Sequence, residues 1–220
     1  MKNLLNIINN SKIKYAFILF LLLIIYIIFS AFSYASEVSK DISESVFRLH
    51  VIANSNSQED QTLKYLVRDS LISYMNDISK DATSKEEAIS IASLHKNDFY
   101  NIAINTIQAN GFNYDVKISI GNFSFPTKKY GDISLPAGYY DALRVEIGTG
   151  SGENWWCVMF PPLCFVDVSS GIVPDESKNS MKESLSEEEY SIISSNDTDI
   201  KLKFKIIEML QNVNIFTAKK

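Results

Sequence analysis

The stretch Val46-Phe-Arg-Leu-His-Val-Ile-Ala53, followed by Asn54-Ser-Asn-Ser57, decides how this chain folds. Its residues alternate. Val46, Arg48, His50 and Ile52 share one face, while Phe47, Leu49, Val51 and Ala53 share the other, which is wholly apolar. A period of two marks a strand resting on a core. Asn54-Ser-Asn-Ser57 breaks the pattern, because short polar side chains compete for backbone hydrogen bonds and favour turns and caps. Ser57 with Asp60 three residues on resembles a capping box, although Asp is shorter than the usual Glu or Gln. Leu63, Leu66, Val67, Ser70, Leu71, Tyr74 and Met75 then recur at steps of three and four. That spacing predicts a helix over about 58–76 with this stripe inward, and Gln61, Lys64 and Arg68 form a polar stripe beside it.

Further along, Ser84 with Glu87 opens a second predicted helix. Its stripe of Ala88, Ile91, Ala92, His95, Phe99, Ile102 and Ala103 runs to about residue 109, and Asn110-Gly111 closes it, since Gly readily takes the left-handed conformation. His95, on that stripe, is expected in the core with one satisfied hydrogen bond. Residues 112–120, 142–147 and 155–160 read as strands by alternation. Gly121 to Pro136 reads as loop. Gly148-Thr-Gly-Ser-Gly152 reads as a flexible turn, and with no Gly-Lys-Ser/Thr and no helix after it, it is no nucleotide loop. The order of strand, helix, helix and then strands implies an α+β domain over 46–168. Two main helices would pack on one face of a small, mostly antiparallel sheet. Residues 169–199, rich in Ser, Asp and Glu, read as a solvated acidic linker with a short helix at most. Residues 200–213 regain a helical stripe (Leu202, Ile206, Met209, Leu210) and read as an amphipathic helix.

The N-terminus is of another kind. Lys2, Lys12 and Lys14 precede an uncharged apolar run from Tyr15 to Phe32, and small residues follow at Ser33 and Ala35. This is the layout of a signal peptide cleaved between Ala35 and Ser36, and the run is also long enough to stay as a membrane anchor. Either way, basic residues before the run place the rest outside the cytoplasm, with 36–45 as a polar tether. Three of the 21 Lys and Arg, and none of the 26 Asp and Glu, lie in residues 1–35, so the exported part carries 18 against 26, a net −8. Such a charge argues against nucleic acid and against an anionic lipid surface as partners.

Both tryptophans and both cysteines sit in Asn154-Trp-Trp-Cys-Val-Met-Phe-Pro-Pro-Leu-Cys-Phe165. On one straight strand Cys157 and Cys164 would face opposite ways. A turn at Met159 to Pro162, with a cis Phe160–Pro161 bond, would bring them together. An exported chain with two cysteines most often pairs them; two buried free thiols is the other reading. A catalytic Cys needs a base, and only His50 and His95 are present. Two Cys and two scattered His have no zinc-ligand spacing, so no metal and no cofactor is expected. Trp155 and Trp156 point to opposite faces of their strand. One can therefore be exposed as an interface anchor, unless both are needed in the core.

Two blocks carry a resemblance. Residues 47–69, from Phe47-Arg-Leu-His to Leu-Val-Arg-Asp69, and residues 154–165 resemble the stage II sporulation protein R family, as do Tyr140 to Gly148 and the glycine-rich turn. The resemblance covers about 46–167 and the export segment. It implies a forespore protein exported into the space between forespore and mother-cell membranes. There it would be the activator of a membrane-embedded aspartic protease that processes a mother-cell sigma factor. It implies a ligand and not an enzyme, so no catalytic residue is assigned. The expected partner-binding residues are Arg48, His50, Asn54, Asp60, Gln61, Lys64 and Arg68, with Trp155 or Trp156 as anchor. The bland alternative for Arg48 and Asp60 is an ion pair or cap at the strand–helix corner. A hydrolase acting on wall or peptide material is the competing reading. It requires the polar corner to open on a cleft with His50 near a nucleophile, and it fails if those side chains cap one another.

Overall fold

The computed structural model describes residues 11–163, 173 and 175–194. It divides into two units, one ending at Val38 and one beginning at Ser39. The first unit is helical. Helix α1 (Ser11–Ser45) contains the segment Lys12–Ser30, with a mean hydropathy of 2.5 and none of its apolar window buried. It is long and apolar enough to cross a membrane, as a signal peptide or an anchor would be. Ala35 and Ser36 lie within its helical backbone.

The second unit starts with the last turns of that helix, which corrects the expected tether at 36–45. Ile42 is fully buried, the Ser39 hydroxyl donates to the Ala137 carbonyl at 3.3 Å, and Lys85 Nζ donates to the Ser43 carbonyl at 3.2 Å. Ser39, Ile42 and Val46 are spaced three and four apart, so one face of a polar-looking segment is a docking stripe.

Next comes β1 (Phe47–Ile52), then α2 (Gln58–Ile78), α3 (Lys85–Leu94) and α4 (Lys96–Ala109). Strands β2 (Val116–Phe125), β3 (Lys128–Tyr130), β4 (Ile133–Leu135), β5 (Gly138–Ile147) and β6 (Asn154–Phe160) follow. The main sheet has the order β2-β5-β1-β6. β1 runs parallel to β5 (His50 beside Arg144) and antiparallel to β6 (His50 beside Trp156); β2 is antiparallel to β5. The fold is therefore α+β with a mostly antiparallel sheet. Its one parallel pairing arises because the whole α2–α4 block and β2 intervene between β1 and β5.

All six residues of β1 are buried. Phe47, Leu49 and Val51 face the helices, whose inward residues include Leu63, Val67, Leu71, Phe99, Ala103 and Ile107. The side is fixed by Trp155, which pairs with Val51 and touches Tyr65 of α2. Each of the larger apolar side chains, Ala103 excepted, contributes roughly 1.5–3 kcal/mol on burial. The face of Arg48 and His50, the more polar face of the strand in sequence, is closed by Phe125, Tyr140 and the β3–β4 hairpin. That hairpin turns at Gly131 (φ +58) and lies in what reads as loop, because three-residue strands are too short to show a period.

Three further expectations change. The single helix over 84–109 is broken at His95, whose N–H still bonds Ile91 while its ring turns to Tyr74 and Asp98 (2.8 Å each). With a side chain 40% exposed, His95 is not a core residue. The strand expected at 112–120 begins at Val116 and continues to Phe125. The acidic linker at 169–199 contains two helices, α5 (Asp175–Ser184) and α6 (Glu187–Ser194). Met181 and Ile193 are fully buried, and Lys178 pairs with Asp132 at 2.7 Å. The sequence Ser186-Glu-Glu-Glu189 is a complete capping box: Glu189 N donates to Ser186 Oγ and Ser186 N to Glu189 Oε2. Composition hid these helices because their apolar residues are few and regularly placed. The amphipathic helix at 200–213 and the end of the domain at 164–168 lie outside the described residues.

Candidate functional site

The corner between β1 and α2 is closed by its own polar groups. Ser57 caps α2 by accepting from Asp60 N at 3.1 Å. The Asp60 carboxylate does not return to the cap; it accepts from Asn54 Nδ2 (2.8 Å) and Ser55 Oγ (2.5 Å). Burial pushes the Asp60 carboxyl up, but hydrogen bonds from Ser55, Asn54 and Tyr114 outweigh it and hold it below its ordinary value. Gln61 Nε2 donates to the Ser55 carbonyl (2.8 Å), and Lys64 Nζ donates to Gln61 Oε1 (2.6 Å) and the Glu153 carbonyl (3.3 Å). Burial lowers the pKa of Lys64, while Glu153 pulls it back up and Arg68 lowers it further.

The glycine-rich turn is clamped onto this corner. Asn54 Oδ1 accepts from Thr149 N (3.0 Å), and the Asn54 carbonyl accepts from Thr149 Oγ1 (2.8 Å) and Ser151 Oγ (2.7 Å). Gly148 has φ +57, and a Cβ there would run into the Asn54 side chain; a Cβ on Gly152 would meet the Ser55 carbonyl. These two glycines exist for close approach. The expected flexible turn is thus a fixed one.

On the sheet face away from the helices, Arg48 is fully buried. It does not pair with Asp60. Its guanidinium lies 4.1 Å from the Phe125 ring centroid and 4.6 Å from that of Tyr140, and Nη2 donates to Tyr130 Oη at 2.7 Å. Tyr130 Oη in turn donates to the Trp156 carbonyl (3.0 Å), and Leu163 N donates to the Val158 carbonyl (3.1 Å). Outward-facing carbonyls of the edge strand β6 are thereby occupied, which discourages pairing with another chain. His50 Nε2 is 2.7 Å from Asn154 Oδ1, and its ring stacks on Trp156 (5.6 Å, 16°) and leans on Phe125 (5.7 Å). Burial depresses the His50 pKa; the Asn154 contact opposes this, and Arg144 and Arg48 add to it.

Trp155 projects to the other side. Tyr65 meets it edge-on at 5.5 Å, and Arg68 places its guanidinium 4.3 Å from the Trp155 ring and 4.9 Å from Tyr65. Tyr65 and Leu66 are exposed and Trp155 half-exposed. Trp, Tyr and Arg together at a surface are the residue types that anchor interfaces.

The structure therefore splits the candidate residues into three groups. Asn54, Asp60, Gln61 and Lys64 cap one another. Arg48 and His50 are buried on one face of the sheet, with the half-exposed Trp156 beside them. Arg68 and Trp155 form a surface patch. The partners of His50 are Asn154, Trp156 and Phe125, none a nucleophile, and Cys157 faces the opposite side of the sheet beside Leu49. A Cys157–His50 dyad is geometrically excluded. Cys157 is buried, and the Phe160–Pro161 bond is cis; the pairing of Cys157 with Cys164 lies outside the described residues. Among the described residues no three His, Cys, Asp or Glu side chains gather as a metal site would require. Sequence reasoning missed Tyr65, Thr149, Lys128, Tyr130 and Phe125. Tyr65 was discoverable as the exposed neighbour of Lys64 and Leu66, whereas the others depend on long-range register.

Comparison with known proteins agrees with the two blocks. The profile of the Stage II sporulation protein R family matches residues 43–170. Stage II sporulation protein R of Bacillus subtilis (strain 168) is 42% identical over 130 residues, which is 59% of this chain and 58% of that relative. The chain thus spans less than two thirds of that relative's length. No solved structure matches. The matched region contains β1, the capped corner, the sheet and β6, and on that ground the chain belongs to the stage II sporulation protein R family.

Proposed function

We propose that this chain is an exported sporulation signal: it crosses the forespore membrane by its N-terminal segment and activates a membrane-embedded aspartic protease that processes a mother-cell sigma-factor precursor. Family membership supports the sporulation role, and the apolar span in α1 supports export. The observation that carries a binding role over a catalytic one is the corner itself, where Asn54, Asp60, Gln61 and Lys64 are engaged with one another, with Ser55 and with the Glu153 carbonyl. A hydrolase acting on wall or peptide substrates would need those groups free and a nucleophile at His50.

The Trp155–Tyr65–Arg68 patch is the proposed contact with the protease. Binding there would favour the active state of the protease by differential affinity. The Cys157–Cys164 disulfide is proposed with it; the Leu163–Val158 hydrogen bond folds the chain back just before Cys164. The test is sigma-factor processing in sporulating cells carrying Trp155→Ala, Arg68→Ala or Trp156→Ala. Loss of processing with Trp155→Ala, with the protein folded and exported, is expected. Full processing with all three sinks the reading.

A further inference from the structure

The sheet face opposite the helices has more buried donors than acceptors. Arg48 is fully buried, yet its Nε and Nη1 have no partner. Trp156 Nε1 across the ladder is an unpartnered donor as well, while His50, 7% exposed with Nε2 on Asn154 Oδ1, keeps only an unpartnered Nδ1 lone pair. Lys128 Nζ stands 4.1 Å from the centroid of the Trp156 ring. These groups form one connected stack. Lys128 lies on Trp156, Trp156 on His50, His50 against Phe125, and Phe125 under Arg48.

The acceptors nearby are already committed. Tyr130 Oη takes Arg48 Nη2, Tyr140 Oη, which donates to the Pro136 carbonyl, also accepts from the Arg48 side chain, and Asn154 Oδ1 takes His50. Glu146, the acid on this face, is shared by Arg144 (3.1 Å) and Lys117 (3.7 Å). Buried donors without acceptors are rare in native proteins, and an ion bound from outside the chain is one of the things that explains them. A buried cation with no counter-ion is the most costly case. The cations also oppose one another: burial and then Arg48 lower the pKa of Lys128. An arriving anion would relieve the penalties on Arg48, Lys128 and Trp156 together.

We propose that this face is a carboxylate-binding site, with Lys128 and Trp156 at a half-exposed rim and Arg48 supplying charge and donors beneath. A planar, singly charged oxyanion suits the guanidinium edge and the indole N–H. The lining of Phe125, Trp156 and Tyr140 disfavours a dianion such as phosphate, whose desolvation costs more. The carboxylate comes either from a small anion or from an acidic peptide. This site stands apart from the protease reading, since binding is a property of the chain alone.

The test uses the full chain in neutral detergent micelles. Acetate is titrated against chloride at constant ionic strength while tryptophan fluorescence and the thermal midpoint are followed. A saturable change and a rising midpoint with acetate are expected, with affinity falling at least about tenfold in Lys128→Gln and the response lost in Arg48→Met. Trp155→Phe keeps the response. N-acetyl-tetraglutamate amide distinguishes the sources. Binding at least about tenfold tighter than acetate assigns the site to peptide carboxylates, and equal binding assigns it to small anions. Saturation by inorganic phosphate but not acetate overturns the carboxylate assignment. No saturable response, or one unchanged in Lys128→Gln, overturns the site. Lys128 is half-exposed and decides the matter even if Arg48→Met does not fold.

Discussion

Replacing Arg48 by Met asks whether a buried, half-satisfied cation is there for stability. The guanidinium makes two cation–π contacts, at 4.1 and 4.6 Å, and one hydrogen bond of 2.7 Å to Tyr130. Each cation–π contact is worth about 0.5–2 kcal/mol, and the charged hydrogen bond about 1.5–3 kcal/mol. Against them stands the desolvation of a buried ion with two unpartnered nitrogens, several kcal/mol. The two sides nearly cancel, and Met retains most of the apolar stem. Arg48→Met is therefore expected to lie within about 1 kcal/mol of the parent chain, or to be more stable. Arg48→Ala also removes the stem and leaves a cavity among Phe125, Tyr140 and Tyr130, so it is expected to lose about 3 kcal/mol relative to Met. Urea unfolding of the full chain in detergent micelles at pH 7.5, followed by tryptophan fluorescence, measures both. If Arg48→Met is destabilised as much as Arg48→Ala, the charge itself holds the sheet together and the reasoning fails.

Gly152→Ala is expected to lose about 2 kcal/mol in the same unfolding assay, because its Cβ meets the Ser55 carbonyl rather than a movable side chain; a neutral result would show that the turn is not clamped. Ser57→Ala removes the cap of α2 and is expected to cost about 1 kcal/mol, with Ser57→Asp restoring it. His50 gives a pH signature. Its folded pKa lies below the ordinary 6.5, so the unfolded chain takes up the proton first as pH falls. The contribution is full above pH 6.5 and is lost as pH drops through the folded value, so a His50→Gln chain is expected to lose less stability between pH 7.5 and 5.5; an equal loss contradicts the buried neutral ring. Intact mass of the exported protein with alkylation before and after reduction tests the cysteine proposal: thiols modified without reductant rule out the pair, and the same spectrum shows whether the chain starts at Met1 or Ser36.

The core strand and its corner were legible because they obey local rules. Alternation from Phe47 to Ile52, the Ser57 cap, the stripe on α2 and the closing Gly111 (φ +83) all follow from residues within a few positions of one another. What failed was non-local. Arg48 and His50 look like the wet face of a strand, and only the return of Phe125, Tyr130 and Tyr140 from distant sequence covers them. The α3–α4 break is invisible to a stripe that passes straight through His95, since Tyr74 and Asp98 draw the ring away. The helices α5 and α6 were lost in a composition of Ser, Asp and Glu, although Met181, Leu185 and Ile193 had the spacing. For the site, the structure separates residues that the sequence had grouped together. Asp60 and Gln61 are architecture, whereas Tyr65, whose contact with Trp155 needs β6 beside β1, is the residue that completes the surface patch.

The central claim is that the chain works by presenting a surface, and the direct measurement is binding of the full chain to the purified sporulation aspartic protease, both in detergent micelles. The account predicts saturable binding that Trp155→Ala weakens at least about tenfold, the scale of an interface hot spot, while the Asp60→Asn chain, whose change lies in the capped corner, binds like the parent once folded. Absence of binding, or binding indifferent to Trp155 and Arg68 alike, contradicts it.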